Sequence, residues 1–251
     1  MSNGKKWWPL AIAAALALGS LASAEEYQFR DILEVDAIVV DSEDYSVKAE
    51  NVLIWNRGPS LLPTFRLTMT RNEAERRMLA QPGFVWVFRD GIYAEFTYGL
   101  STNDDSELGQ EGFAEITRET DDMVASARFK AGYLHEPGVF YMIPDVAYKR
   151  MLNDFYGIQG KYFLGYNTEA FLSHSLELDN EFAVSSIFKL TAIAIGTWEQ
   201  YAWGDEWLWG AGLKAHAAIS KRFALKYLAQ YNTLARDRWA IENAITLDVK
   251  F

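Results

Sequence analysis

Long stretches in the second half of the chain change character at every residue. In "RFALKYLAQYN", Phe223, Leu225, Tyr227, Ala229 and Tyr231 share one face, and Ala224, Lys226, Leu228, Gln230 and Asn232 share the other. "WLWGAGLKAHAAI" sets Trp207, Trp209, Ala211, Leu213, Ala215, Ala217 and Ile219 against Gly212, Lys214, His216 and Ala218. "FAVSSIFKLTAIAIGTW" sets Phe182, Val184, Phe188, Leu190, Ala192, Ala194 and Trp198 against Ser185, Lys189, Thr191 and Thr197. The closing "WAIENAITLDVKF" sets Trp239, Ile241, Ile245, Leu247, Val249 and Phe251 against Ala240, Glu242, Ala244, Thr246, Asp248 and Lys250, and Asn243 interrupts its apolar face. A repeat of two belongs to strands, not helices. A soluble β-sandwich also alternates. It accounts less well for successive strands of this length, each apolar along the whole of one face; lipid against that face does account for them.

Hydropathy alone hides this signal. Half the chain is hydrophobic and 15% is aromatic, yet past the N-terminal segment the best uncharged run, Leu190 to Trp198, is far shorter than the roughly 20 residues a membrane helix needs. The N-terminal segment itself reads as an export signal. Lys5 and Lys6 precede the apolar "WWPLAIAAALALGSL", then "ASA" at 22–24 supplies the small residues a signal peptidase requires. The expected division is a signal peptide at 1–24 and one barrel domain at 25–251. The chain has no cysteine, which excludes disulfides, thiolate metal sites and a lipidated N-terminal Cys. Its formal charge of −10 becomes −12 once Lys5 and Lys6 are removed. An acidic chain lacks the basic surface that counterion release from nucleic acid requires, so no nucleic-acid partner is expected.

Polar punctuation falls at "RDG" (89–91), "TDD" (120–122), "LND" (152–154), "DNE" (179–181) and "SKR" (220–222), all sequences suited to tight turns. Between them lie "TNDDSELGQEG", "LHEPG", "EQYAWGDE" and "TLARDR", which predict longer loops at the opposite end. Aromatics sort the same way: Trp198, Trp207, Trp209 and Trp239 toward the long-loop end, Phe182, Phe223 and Phe251 toward the tight-turn end. Two aromatic bands are expected where strands meet lipid headgroups.

On these features, and above all on the ending "AITLDVKF", the chain resembles the bacterial outer-membrane β-barrel proteins. The resemblance implies an all-β, antiparallel, up-and-down barrel in the outer membrane. It also implies partners: outer-membrane lipids, and the barrel-assembly machinery, which reads a terminal strand of this kind. Chain length suits about 12 strands, within a range of roughly 10 to 14. The first candidates, "DILEVDAIVVD" and "YSVKAENVLIW", are the weakest, being partly acidic.

Turning the polar face inward lists the interior: Arg66, Glu95, Arg128, Lys130, Asp145, Lys149, Glu169, Glu177, Lys189, Lys214, His216, Lys226, Glu242, Asp248 and Lys250. This set is mixed and slightly basic, so the acidic excess is expected mostly in loops, turns and the N-terminal segment. The predicted function is a narrow passive, porin-like channel for ions or small hydrophilic solutes. A non-conducting structural or surface-binding barrel is the alternative. A lipid-modifying enzyme is a weaker one. In "LSHSLELD" the flanking Ser173 and Ser175 point away from His174, so no Ser–His pair forms on that strand. His216 points inward with no evident nucleophile, and His135 is expected in a loop beside Pro137. No catalytic residue, cofactor or metal site is predicted; Asp104, Asp105, Glu107 and Glu111 read as a solvated acidic loop rather than a cation site.

Overall fold

The computed structural model describes residues 28–40, 44–56, 60–72, 76–103, 108–135, 138–168, 171–234 and 238–250. The expected signal peptide, the loop acids Asp104, Asp105 and Glu107, and both Glu169 and Phe251 lie outside the described residues.

Alternation dictates the architecture. A strand with one apolar face cannot rest until that face is covered and both of its edges are paired. Here the strands close on themselves. β1 (Gln28–Val40), β2 (Asp44–Asn56), β3 (Leu61–Asn72), β4 (Arg76–Arg89), β5 (Ile92–Asn103), β6 (Leu108–Glu119) and β7 (Met123–Leu134) form the first half. β8 (Val139–Asn153), β9 (Tyr156–Asn167), β10 (Phe171–Ala183), β11 (Phe188–Tyr201), β12 (Gly204–Ala218), β13 (Phe223–Leu234) and β14 (Arg238–Lys250) form the second. Each pairs antiparallel with its sequence neighbours, and β1 pairs with β14 to shut the barrel.

The barrel therefore has 14 strands, not about 12. The two segments that read as weak are β1 and β2. Their acids, Glu34, Asp36 and Glu50, sit on the inner face, where a lumen tolerates charge. Closure at β1–β14 brings residues 210 positions apart into a hydrogen bond, Thr246 Oγ1 to Asp36 Oδ1 at 2.5 Å.

Strand length fits a bilayer. The shortest strands have 12 residues, about 40 Å of chain, which a tilt of roughly 40° reduces to about 30 Å, the hydrocarbon thickness. The outer face carries large apolar side chains left uncovered by protein, among them Phe129, Leu176, Leu178, Trp207, Leu213, Ile241 and Ile245. Lipid is the solvent that makes such a surface stable.

The expected contrast between tight turns and long loops is not observed. Strand bounds leave two to four residues between successive strands at both ends. "DNE" is not a turn: Asp179, Asn180 and Glu181 lie inside β10, and the chain reverses at 184–187, where Ser185 Oγ accepts from the Ile187 and Phe188 amides. "EQYAWGDE" is mostly strand, with only Ala202 and Trp203 between β11 and β12. "TNDDSELGQEG" likewise lies mostly in strand. Hydrogen-bonded polar residues on a strand look the same in sequence as those of a loop. "RDG" does turn, with Gly91 at φ 72°, a conformation a Cβ disfavours.

Candidate functional site

The register sorts inner from outer side chains, and ion pairs mark the inner face. Arg66 on β3 holds Glu95 on β5 at 2.9 Å and lies 3.8 Å from Glu50 on β2, whose other oxygen takes Lys48 at 3.0 Å. Arg128 on β7 meets Asp145 on β8 at 2.7 Å. Lys149 and Lys189 clamp Glu181 at 2.8 and 3.0 Å. Lys161 bridges Glu177 and Asp179. Lys226 reaches Asp248 at 2.9 Å and Glu34 at 3.4 Å across the closing strands.

Of the residues assigned to the interior from sequence, Arg66, Glu95, Arg128, Lys130, Asp145, Lys149, Glu177, Lys189, Lys226 and Asp248 are joined in these networks or in the Glu111 cluster below. Lys214, His216, Glu242 and Lys250 share the inner face by register. The expectation of a slightly basic interior fails. Glu34, Asp36, Glu50, Glu111, Asp179 and Glu181 also point inward, so much of the chain's acidity lies inside the wall rather than in loops.

Glu111 shows what the sequence reading missed. It is not a loop residue but a nearly buried carboxylate on β6, 4% exposed. Lys130 lies 2.9 Å away, Arg77 3.8 Å, Tyr141 Oη donates at 2.5 Å and Gln81 Nε2 at 3.4 Å. Glycines make this possible. Glu111, Gly132 and Tyr141 lie directly opposite one another on β6, β7 and β8. With no side chain at Gly132, the Tyr141 ring lies flat across β7 to reach the carboxylate. On the other side, a Cβ at Gly99 would meet the Gln81 side chain at 2.7 Å. The readable signal is a pair of inward glycines, Gly99 on β5 and Gly132 on β7, that lie directly opposite Glu111 on either side.

The outer face holds the predicted interface aromatics. Phe182, Trp207, Trp209, Phe223 and Trp239 are exposed there, and Trp198 is half-buried between His174 and Trp207. Asn243 also faces outward and accepts a hydrogen bond from Tyr227 at 2.8 Å, so its break in the apolar face is locally satisfied. His174 pairs with the Tyr162 hydroxyl at 2.6 Å on the outer face, while Ser173 and Ser175 point inward. Ser175 bonds Thr197 instead. Among the described residues no group of His, Asp and Glu is arranged to hold a metal.

This is the fold of outer-membrane β-barrel proteins. The chain is similar to a loop-deletion form of OmpT, an outer membrane protein of Vibrio cholerae, at 10% identity and TM-score 0.58, over 90% of this chain and 99% of that one. It is similar to the CymD monoaromatic hydrocarbon channel at 9% identity and TM-score 0.62, over 89% and 88% of the two chains. It is similar to the KdgM porin solved with a disordered oligogalacturonate at 8% identity and TM-score 0.51, over 88% and 99%. No protein-family model matches the chain, and no curated protein matches it.

Proposed function

We propose that this protein is a passive channel of the outer membrane for ions or small hydrophilic solutes. One observation carries the reading: the interior ion pairs follow the wall instead of crossing it. Among the described residues, the inner-face pairs join groups on the same strand, adjacent strands or next-but-one strands, as Lys149 on β8 to Glu181 on β10 and Lys226 on β13 to Glu34 on β1. Fourteen strands spaced about 4.8 Å apart and tilted roughly 40° enclose a backbone cylinder about 28 Å across. Side chains hugging such a wall leave its axis to water. Lys130 and Lys189 keep 40% and 41% of their side-chain surface exposed even while paired. Connections of two to four residues are too short to fold inward and close the bore.

Short connections also leave little surface beyond the lipid for a binding partner, which disfavours the surface-binding reading. The His174 geometry disfavours a hydrolase, since no hydroxyl nucleophile shares its face on β10. Export to the outer membrane and assembly through β14 follow from the same reading. Planar-bilayer recording of the refolded protein tests it. Stable unitary steps support the channel; a folded barrel that carries no current refutes it.

A further inference from the structure

The inner wall is not uniform along its length. At the end of the barrel where β1 begins and β14 ends, β11, β12 and β13 place Lys189, His216 and Lys226 directly opposite one another in a single row. One step deeper, Lys214 lies between Thr191 and Leu228. Three basic side chains abreast on adjacent strands repel, which a sheet ordinarily avoids. Lys189 and Lys226 are relieved by Glu181, Asp248 and Glu34. Lys214 and His216 have no hydrogen-bond or ion-pair partner among the described residues. The nearby carboxylates on β10, Glu177 and Asp179, are both held by Lys161.

We propose that Lys214 and His216, flanked by Lys189 and Lys226, form an anion-binding step on the lumen wall, which takes a small solute carrying a carboxylate or phosphate group. A half-buried ammonium without a counter-ion is costly, and a visiting anion supplies what the wall withholds. Thr191, directly beside Lys214, adds a hydroxyl donor for a second oxygen of the same group. The step is selective locally although the interior as a whole is rich in acid, because the nearby carboxylates Glu177, Asp179 and Asp248 are each ion-paired to another lysine, Asp179 and Asp248 through one oxygen each. This rests on the channel reading, and names the solute class that the channel retains.

The test is current block of the refolded protein by inorganic phosphate, added to either side of a planar bilayer. Phosphate is expected to block, and Lys214→Gln to raise the half-blocking concentration about ten-fold, the loss of one charge-assisted contact. His216→Gln is expected to raise it less, and Lys48→Gln, four strands away on β2, to leave it unchanged. A conducting channel that phosphate does not block, or blocks equally in wild type and Lys214→Gln, overturns the proposal and leaves the channel standing. If no current flows, the channel reading fails, and titration calorimetry of phosphate into the micellar barrel decides the site. Binding lost in Lys214→Gln supports an anion site in a closed barrel; no binding overturns it.

Discussion

Gly132 gives the sharpest test of how this wall is built. A Cβ placed there would lie 2.4 Å from Tyr141 Cζ, 2.4 Å from Oη and 2.6 Å from Cε1. All are inside van der Waals contact, so Gly132→Ala must push the ring away and break its hydrogen bond to Glu111. That bond ends on a carboxylate and is worth about 1.5–3 kcal/mol. Crowding the ring adds about 1–3 kcal/mol. Alanine returns about 0.5–1 kcal/mol through its lower backbone entropy cost. The net expectation is a loss of about 1.5–5.5 kcal/mol. The same substitution in a Tyr141→Ala background meets no ring and breaks no bond, so there it stabilises by about 0.5–1 kcal/mol. Tyr141→Phe keeps the ring and removes the bond, which separates the two contributions. Urea unfolding in micelles, followed by tryptophan fluorescence with the denaturant slope unchanged, reads all of these as shifts in midpoint. Equal costs for Gly132→Ala in the wild-type and Tyr141→Ala backgrounds would refute the account.

Asp145 is 9% exposed and Arg128 35%, so Arg128→Met strands a buried carboxylate while Asp145→Asn leaves a guanidinium that lumen water reaches. The arginine variant should lose about 1–3 kcal/mol in urea unfolding and the aspartate variant clearly less; the reverse order sinks the burial argument. Gly91→Ala puts a side chain at φ 72° and its Cβ 2.2 Å from the Glu119 carbonyl, so a loss of at least about 1–2 kcal/mol is expected in the same assay. Trp207 and Trp209, 79% and 57% exposed on the outer face, should be quenched by lipids brominated near the headgroup, and unchanged emission would place them away from lipid. Because the chain has no cysteine, single Cys substitutions along β12 report unambiguously: a charged thiol reagent should modify Lys214→Cys and His216→Cys but not Leu213→Cys or Ala215→Cys.

Period-two alternation was legible because it is a property of consecutive residues. It placed Arg66, Glu95, Arg128 and Lys130 on one face without any knowledge of their partners. Boundaries were harder, because tight turns and inward-facing strand positions draw on the same residue types. Asp179 and Glu181 looked like turn formers until Lys161, Lys149 and Lys189, contributed by β8, β9 and β11, were seen to hold them. β1 and β2 looked too acidic to count as membrane strands because Glu34 and Glu50 are neutralised by Lys226 and Arg66, one of them 192 residues away in sequence. Partners that distant are invisible to any local window. The Glu111 cluster was hidden for a related reason: its meaning lies in two glycines that are unremarkable alone and matter only once register sets them opposite Gln81 and Tyr141.

A barrel with such short connections must obtain rigidity from the wall itself. Loops that fold inward can brace a wide bore, but segments of two to four residues cannot. Here inner-face pairs span up to three strands at a time: Arg66 to Glu95 over β4, Arg77 to Glu111 over β5, Lys149 to Glu181 over β9, Lys226 to Glu34 over β14. Each couples two strands that share no backbone ladder, so a local shear of the sheet strains a charge pair as well as its hydrogen bonds. Individually such half-exposed pairs are weak, about 1 kcal/mol or less. Their recurrence around the wall makes the bore resist collapse, and it also explains why so many acids and bases face inward without giving the lumen one dominant sign. Against that balanced background, Lys214 and His216, like Glu242, have no hydrogen-bond or ion-pair partner among the described residues, so the charge pairing of the wall is incomplete at those positions.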